Sequence, residues 1–322
     1  MKLQQIITTR NYNNWPSWDL VFEWEDIIKS KLQLDFYYDS KLMNNRYIKK
    51  IPFFNNLLQT NKFSFSFEMS VGRSNNRNNK KNIVPCIIDF FLTKEQLPSF
   101  YKRYDKNSIV LVSSKEVYDF LKSVDCPINI GHLPLSISDI YRISEETVFE
   151  KKYDLVIMGR TNPVLLEFMN KYSATHPHFR YVYRVLKDGV FNYYTSDGEM
   201  LGDICTREKY IQLMRSAKVG FYSTPGIDGG EKRTNGFNQV TPRLLELVAS
   251  QCHVISRYPK NSDTDYYNLP RFGKSVETYE EFCAIMDDCL SKPVDLKFYS
   301  EYLQHHYTSI RAKQLSEIIK SI

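Results

Sequence analysis

The chain has 322 residues, enough for about two domains. Its composition, with 42% hydrophobic and 25% charged residues, 12 Gly and 13 Pro, is that of a globular protein and excludes a collagen, a coiled coil or a disordered tail. The formal net charge of +6 divides evenly at residue 150, with +3 on each side, so neither half carries the concentrated positive field that polyanion binding usually needs. We therefore expect no nucleic-acid partner.

Targeting and metal signals are missing from the sequence. The six cysteines show neither Cys-x-x-Cys spacing nor a His partner at zinc-finger distance. No apolar run approaches the length of about 18 residues that a membrane span requires, and the first residues do not read as a signal peptide. We expect a cytoplasmic protein without a bound metal, and peripheral contact with the inner face of a membrane stays open.

Short apolar runs alternate with amphipathic segments along the chain, a pattern typical of βα units and a parallel sheet. Ser17 is predicted to cap the first helix. The alternating Phe and Ser of 63–67 predict a strand with one exposed face. The Asn-rich segment Val71–Lys81 is predicted to be a loop, either plainly solvated or attracting an anionic acceptor through its four positive charges. The strands predicted for the first half are Leu3–Thr9, Leu32–Tyr38, Phe63–Met69, Ile83–Asp89, Ile109–Ser113 and Ile128–Gly131.

The charged segment Glu145–Lys152 predicts a boundary between two domains, residues 1–150 and 151–322. In the second domain the predicted strands are Asp154–Met158, Phe179–Tyr183, Val219–Ser223 and His253–Ser256. The predicted helices are Pro163–Tyr172, Arg207–Ser216, Pro242–Ser250, Glu280–Leu290 and Phe298–Ile319. Two α/β domains in tandem predict a cleft at the carboxyl ends of both sheets, where open sheets bind ligands.

The most informative stretch is the strand, loop, helix and strand between residues 219 and 256. Thr241 suits the N-cap and Pro242 the first helical position, so free N–H groups at the helix start favour a phosphate. Arg243 in the first turn adds a cation, and Glu246 can accept two hydrogen bonds from a ribose diol. The structural alternatives are a solvated helix face for Arg243 and a capping or surface carboxylate for Glu246.

The run from Arg243 to Ile255 resembles the signature of the C-terminal domain of GT-B glycosyltransferases, in particular the group 1 and spore-maturation-type bacterial polysaccharide enzymes. Gly159-Arg160 is similar to the Gly-Arg after the first strand of that domain. The resemblance covers roughly residues 154–256. It implies an α/β protein of the GT-B fold, with two Rossmann-like domains and a cleft between them, an N-terminal acceptor domain and a C-terminal donor domain with terminal crossover helices. The donor-binding residues that it implies are Gly159, Arg160, Thr161, Tyr222, Ser223, Thr224, Asn238, Thr241, Pro242, Arg243 and Glu246.

The chain departs from the family pattern at two positions. Asn238 stands where many retaining members carry a second Glu, which leaves the anomeric outcome open. The Lys that usually follows the Gly-Arg loop has no counterpart, and Lys232 or Arg233 is expected to supply the charge. Asp263-Thr264-Asp265 has the Asp-x-Asp form of a metal site in another glycosyltransferase fold, but it follows a turn-rich stretch, and we interpret it as a loop without metal.

Candidates for the acceptor side lie at predicted strand ends. Asp89 and His132 each close an apolar run, and either type of side chain can act as the base that removes the proton of an acceptor hydroxyl. The alternatives are an Asp that caps the next segment and a His bonded to a loop carbonyl. Polar amides and flat aromatic rings suit carbohydrate binding, so Asn11, Asn14 and Trp15 are the predicted acceptor-binding residues.

The sequence therefore predicts a metal-independent glycosyltransferase. It transfers a sugar from a nucleotide diphosphate sugar, with UDP or GDP as carrier, to a hydroxyl of a glycan or lipid-linked glycan. The expected pathway is bacterial surface polysaccharide synthesis, of capsule or lipopolysaccharide. The nucleotide sugar is a substrate, so no cofactor is expected. Two alternatives stay open: a non-catalytic two-domain protein that binds a small ligand, and a sugar-nucleotide epimerase of the same fold.

Overall fold

The computed structural model describes residues 2–13, 16–39, 61–71, 78–187 and 189–322. The chain forms two compact units, one of Met1–Asp139 with Tyr307–Ile322 and the other of Ile140–His306. The division thus falls at residue 140 rather than 150, and the C-terminal segment belongs to the first unit. Among the described helices none is both long and apolar enough to cross a bilayer.

The first unit contains a parallel sheet with helices between its strands. Its strands are β1 (Gln5–Thr8), β2 (Asp35–Tyr38), β3 (Ser64–Ser70), β4 (Ile83–Asp89), β5 (Val110–Val112) and β6 (Ile130–His132). Its helices are α1 (Pro16–Leu32), α2 (Leu97–Tyr104), α3 (Lys115–Ser123) and, from the C-terminal segment, α10 (Thr308–Lys320). The strand order is β2-β1-β3-β4-β5-β6, and it reverses between β1 and β3. The carboxyl ends of those two strands are therefore the switch point of the sheet, where α/β folds bind ligands.

The core of the first unit explains why its strands read as apolar runs. Side chains of β1, β3, β4 and β5 pack with Ile28 of α1 and with Ala312 and Leu315 of α10. The prediction that β3 exposes one face is wrong, since Ser64 and Ser66 are buried as fully as the Phe between them. β3 lies between β1 and β4, where both faces are covered, and the small Ser side chains fill the face that the Phe side chains leave.

The start of the first helix also differs from the prediction. Helix α1 begins at Pro16, so Ser17 lies inside the first turn rather than in the cap position. A Pro at the first helical position loses no hydrogen bond, because that N–H has no partner inside the helix.

The second unit has a mixed sheet. Its strands are β7 (Tyr153–Val156), β8 (Tyr181–Lys187), β9 (Val190–Thr195), β10 (Met200–Asp203), β11 (Ala217–Ser223) and β12 (His253–Arg257). Its helices are α4 (Pro163–Thr175), α5 (Arg207–Arg215), α6 (Arg243–Ala249), α7 (Ser262–Tyr266), α8 (Tyr279–Ser291) and α9 (Leu296–Gln304). The order is β10-β9-β8-β7-β11-β12, with β8, β7, β11 and β12 parallel and β9 and β10 antiparallel.

Two features of the second unit were not predicted. β9 and β10 extend the sheet beyond β8 as an antiparallel meander. The predicted helical stretch Phe298–Ile319 consists of two helices, α9 and α10, which belong to different units. The parallel part of this sheet reverses its order between β7 and β11, which again defines a switch point.

Candidate functional site

A pocket of about 150 Å³ opens at the switch point of the second sheet. The loop after β7, the end of β11 and the start of α6 form it, and its lining residues are Arg160, Asn162, Leu165, Phe221, Tyr222, Ser223, Pro225, Thr241 and Arg243. Five of the predicted donor-binding residues are among these: Arg160, Tyr222, Ser223, Thr241 and Arg243. The strand order alone selects this position for a ligand, independently of any sequence resemblance.

Gly159 and Arg243 are in direct contact at this pocket. Gly159 has a φ of +62°, a left-handed conformation that other residues adopt at a cost. A Cβ at this position would lie 2.0 Å from one terminal nitrogen of Arg243 and 2.6 Å from its Cζ. Only glycine therefore leaves room for the guanidinium to lie against the loop backbone.

The charge of Arg243 is not used inside the protein. Among the described residues it has no carboxylate partner, and its buried Nε has no hydrogen-bond partner. A half-buried guanidinium in a polar pocket without an internal counter-ion is suited to an anionic ligand, to which it can donate paired hydrogen bonds. Arg243 is the main source of positive charge in this pocket.

Glu246, the predicted ribose ligand, is held by an arginine that the sequence analysis did not consider. Its Oε1 lies 2.6 Å from a terminal nitrogen of Arg207 in the first turn of α5, and both side chains are largely buried, at 5% and 13% exposure. Burial raises the pKa of the neighbouring Tyr210 to about 12, with Arg243 opposing the shift and Glu246 adding to it. The first turns of α5 and α6 thus bring two arginines, a glutamate and a tyrosine into one cluster.

Other predicted donor residues hold the loop before α6 in place. The buried Tyr222 hydroxyl accepts a hydrogen bond from the backbone N–H of Thr241 at 3.1 Å. The buried Thr224 hydroxyl donates to Oδ1 of Asn238 at 2.9 Å, and the amide of Asn238 donates to the carbonyl of Gly236 at 3.1 Å. Tyr222, Thr224 and Asn238 are therefore engaged with protein groups, and their evident role is to position the loop.

The start of α6 lies one residue later than predicted. Pro242 occupies the N-cap with helical φ and ψ, Arg243 is the first helical residue, and the cap makes no side-chain hydrogen bond. Thr241 lies one residue before the cap, where its N–H donates to the Tyr222 hydroxyl and its carbonyl accepts from the N–H of Leu244. Boundary shifts of this size are common at helix ends. Thr161 lies half-buried between Arg160 and the cap residue of α4.

The far side of the pocket is fixed by a network that sequence reasoning missed. Arg257, at the end of β12, donates to both oxygens of Asp228, at 2.5 and 2.7 Å. Asn162 donates to Asp228 at 2.7 Å while its own Oδ1 caps α4. The hydrogen bonds from Arg257 are the largest cause of the lowered pKa of Asp228. This ion pair leaves neither charge for a ligand.

The remaining cations at the rim are weaker candidates. Arg160 lies 3.8 Å from Glu231, and Arg233 lies 3.2 Å from the same carboxylate. Lys232 is exposed. The predicted substitutes for the missing Lys therefore lie in a loop whose carboxylate already attracts two arginines.

Asp263-Thr264-Asp265 is the start of helix α7 rather than a loop. Asp263 is buried, and its Oδ2 accepts the N–H of Val240 at 2.6 Å, while Asn261 and Thr264 form a reciprocal cap. Asp263 thus supports the segment that leads into α6. Among the described residues no group of three His, Cys, Asp or Glu side chains is arranged to hold a metal ion.

In the first unit, His132 is the last residue of β6 and Asp89 is the last residue of β4, so both lie at the carboxyl edge of the parallel sheet. The Nε2 of His132 lies 3.2 Å from the carbonyl oxygen of Ser113. A carbonyl can only accept, so Nε2 carries the proton and Nδ1 is the acceptor nitrogen. Burial lowers the pKa of His132 to about 4, and the Ser113 bond opposes that shift. Asp89 ends β4, which is two strands from β6, and it lies two residues beyond the position level with His132, so the two backbones are roughly 12 Å apart.

The acceptor candidates are partly described. Asn11 is exposed in the turn after β1, at the switch point of the first sheet. Asn14 and Trp15 lie outside the described residues. So do residues 72–77 of the basic loop that was predicted for Val71–Lys81. Trp24 is buried in the core.

A buried carboxyl group near the same strand end was not predicted. Oε2 of Glu25 accepts from the hydroxyl of Thr8 at 2.5 Å and from Arg10 at 3.2 Å. Its Oε1 is buried and, among the described residues, has no hydrogen-bond partner. Burial raises the pKa of Glu25 to about 7. The sequence does not show that this Glu is buried, because an acidic residue in the middle of an amphipathic helix usually lies on its solvent-exposed face.

Comparison with known proteins bears on the fold. No protein-family model matches the sequence, and no curated protein matches it. The chain is similar in structure to a sucrose-phosphate synthase from Thermosynechococcus elongatus, with a TM-score of 0.57 over 100% of this chain and 99% of that chain, at 9% sequence identity. At this identity the likeness shows the fold. The chain is an α/β protein of the GT-B type with two parallel-rich sheets, and the fold predicted from the sequence is confirmed.

Proposed function

We propose that the chain is a glycosyltransferase that moves a sugar from a nucleoside diphosphate sugar to a hydroxyl of a glycan or lipid-linked glycan. The observation that carries the proposal is the Arg243 guanidinium, which lines the switch-point pocket without a carboxylate partner among the described residues. The GT-B fold supports it, as does the name of the similar structure, a synthase of a phosphorylated sugar.

The proposed reaction breaks the bond between the anomeric carbon and the diphosphate oxygen. Negative charge develops on that oxygen, and Arg243 stabilises it through charge-assisted hydrogen bonds. The acceptor oxygen forms the new bond to the anomeric carbon, and its proton passes to a base. Arginine can supply the charge stabilisation, so we propose that transfer requires no divalent ion.

Glu246 is the proposed ribose ligand. Its Oε1 is fixed by Arg207 at 2.6 Å, so the carboxylate cannot rotate freely. A carboxylate held in one orientation accepts hydrogen bonds from a diol at a smaller entropic cost than a mobile one. Gly159, Arg160, Thr161, Ser223, Thr241 and Pro242 complete the proposed donor site, with Tyr222, Thr224 and Asn238 as its support.

His132 is the proposed base, with Asp89 as its alternative. The bond from Nε2 to Ser113 fixes the tautomer, so Nδ1 is the nitrogen that accepts the proton of the acceptor hydroxyl. A pKa of about 4 keeps the ring neutral at physiological pH, although it also makes the ring a weak base. Asn11, Asn14 and Trp15 are the proposed acceptor-binding residues. The pathway, bacterial surface polysaccharide synthesis, rests on the sequence resemblance.

Titration calorimetry with UDP, GDP and ADP tests the donor site. We expect at least one nucleoside diphosphate to bind, and Arg243→Gln to weaken it at least tenfold. Arg180→Gln is the matched control, because Arg180 is a half-exposed arginine of the same unit that already pairs with Asp197 and Glu199. If no nucleoside diphosphate or sugar nucleotide binds the wild type, the proposal is wrong.

Turnover separates transfer from its alternatives. A glycosyltransferase releases nucleoside diphosphate faster when an acceptor glycan is added, and activity should survive a chelator. A binding protein releases none, and an epimerase converts the donor without an acceptor.

A further inference from the structure

Strands β8 and β9 form a hairpin whose tip is unusually apolar for an exposed segment. Lys187 pairs with Val190, and Gly189 between them has a φ of +78°. We define the hairpin tip as residues 185–187 and 189–191. Four of its side chains are large, apolar and exposed: Val185 at 43%, Leu186 at 59%, Val190 at 49% and Phe191 at 41%.

The apolar side chains occupy both faces of the tip. Leu186 is opposite Phe191, and because side chains alternate along a strand, Val185 and Val190 point to the other face. A hairpin that docks on another protein needs an apolar surface on one face only. A hairpin that enters a lipid interface is surrounded, and it needs apolar side chains on both faces.

Two cations accompany these side chains. Arg184 lies over the ring of Phe191, with its Cζ 3.9 Å from the ring centroid, and Lys187 is exposed at the tip. Arg184 is half-buried and bonded to the side chain of Tyr193, whereas Lys187 has no carboxylate partner within the described part of the chain. Lysine and arginine stems pack along apolar surface while their charged ends reach phosphate groups.

We propose that the hairpin tip enters the interfacial region of a membrane that contains anionic lipids. Leu186, Val190 and their apolar neighbours lie at the level of the upper acyl chains, and Lys187 contacts lipid phosphates. The apolar side chains of the tip and Lys187 do not line the pocket at Arg243, so the inference does not depend on the proposed function. It is compatible with a lipid-linked acceptor.

Co-flotation with lipid vesicles tests the proposal on the full chain. The probe is a vesicle of phosphatidylcholine with phosphatidylglycerol, compared with one of phosphatidylcholine alone. We expect the wild type to float with the anionic vesicles, and the double variant Leu186→Ser/Val190→Ser to partition at least tenfold less. The matched control is Ile140→Ser/Val148→Ser, which removes two exposed apolar side chains of the same unit, at 64% and 81% exposure.

A second variant isolates the charge. Lys187→Gln should weaken binding to the anionic vesicles and make it less sensitive to added salt, without changing the residual binding to neutral ones. Circular dichroism and urea denaturation report the folding of each variant, and both should equal those of the wild type.

Three outcomes overturn the proposal. The wild type stays in the aqueous phase with anionic vesicles, or the tip variant floats as well as the wild type does. In the third, sedimentation shows a dimer of the wild type that the tip variant dissociates, and the tip is then an interface between copies of this chain. Because flotation is measured without nucleotide, each of these results is independent of the calorimetry that tests the donor site.

Discussion

Replacing Gly159 with Ala perturbs the candidate donor site by one methyl group. The backbone there has a φ of +62°, and an L-residue in that conformation costs about 1–2 kcal/mol. The new Cβ would lie 2.0 Å from one terminal nitrogen of Arg243 and 2.6 Å from the other. These atoms are the end of a flexible side chain, so the guanidinium can move away from the new methyl group. The loss of stability therefore stays near the cost of the left-handed backbone conformation, about 1–2 kcal/mol.

The larger effect of Gly159→Ala is expected on ligand affinity. A displaced guanidinium loses its charge-assisted hydrogen bonds to a bound diphosphate, which are worth about 1.5–3 kcal/mol. That loss weakens nucleoside diphosphate binding by roughly tenfold to a hundredfold. The substitution should therefore act on binding like Arg243→Gln, although residue 159 contributes no side chain to the ligand.

A double-mutant cycle measured by calorimetry tests this reasoning. If Gly159 acts through Arg243, the double variant Gly159→Ala/Arg243→Gln binds no more weakly than Arg243→Gln alone. Gly198→Ala is the matched control, because Gly198 has a φ of +90° but nothing within 4 Å of an added Cβ, so it introduces only backbone strain. Equal losses of affinity from Gly159→Ala in the wild-type and Arg243→Gln backgrounds would refute the argument.

Three further predictions concern buried charge. The folded-state pKa of Glu25, about 7, exceeds the ordinary 4.5, so its stabilising contribution is present below pH 4.5 and is lost as the pH rises through 7. Glu25→Gln should raise the free energy of unfolding by up to about 3 kcal/mol at pH 8 but change it little at pH 4. Urea denaturation at the two pH values measures this, and an equal gain at both would contradict the prediction. Arg207→Ala leaves the buried Glu246 without its partner and should cost about 3–5 kcal/mol, and the double variant with Glu246→Ala should recover part of the loss in the same assay. If His132 is the base, the acid limb of the pH–rate profile should have an apparent pKa near 4 rather than 6.5. His132→Gln should slow transfer by about 10²–10⁴-fold and remove this limb. If the limb is unchanged in the variant, it reports another group.

The sequence was sufficient for the parallel strands. A strand buried on both faces reads as a continuous apolar run, and Ile83–Asp89 was predicted with the bounds that β4 has in the structure. The hairpin of β8 and β9 was missed because the second half was interpreted as a plain succession of βα units. The pair Asp188-Gly189, between two segments rich in aromatic and β-branched residues, is a strong hairpin signal and could have identified it.

The candidate site was predictable only in part, because its geometry depends on contacts between distant segments. Gly159 and Arg243 could each be selected from the local pattern, but their contact could not. The pairs of Arg207 with Glu246 and of Arg257 with Asp228 connect elements far apart in sequence, and no local spacing encodes them. The bond from the N–H of Thr241 to the hydroxyl of Tyr222, on strand β11, is another contact of this kind that holds the segment before α6.

These pairings change what the positive charges of the second unit can do. From the sequence, Arg160, Arg243 and Lys232 or Arg233 are assigned to the anionic ligand, and neither Arg207 nor Arg257 is among the candidates. In the structure, Arg207 and Arg257 are neutralised by buried or half-buried carboxylates, and their role is to fix Glu246 and the loop of Asp228. Because these ion pairs remove Arg207 and Arg257 from binding, Arg243 is left as a pocket-lining cation without a carboxylate partner among the described residues. The candidate site therefore depends on this charge, which an anionic ligand can engage through charge-assisted hydrogen bonds.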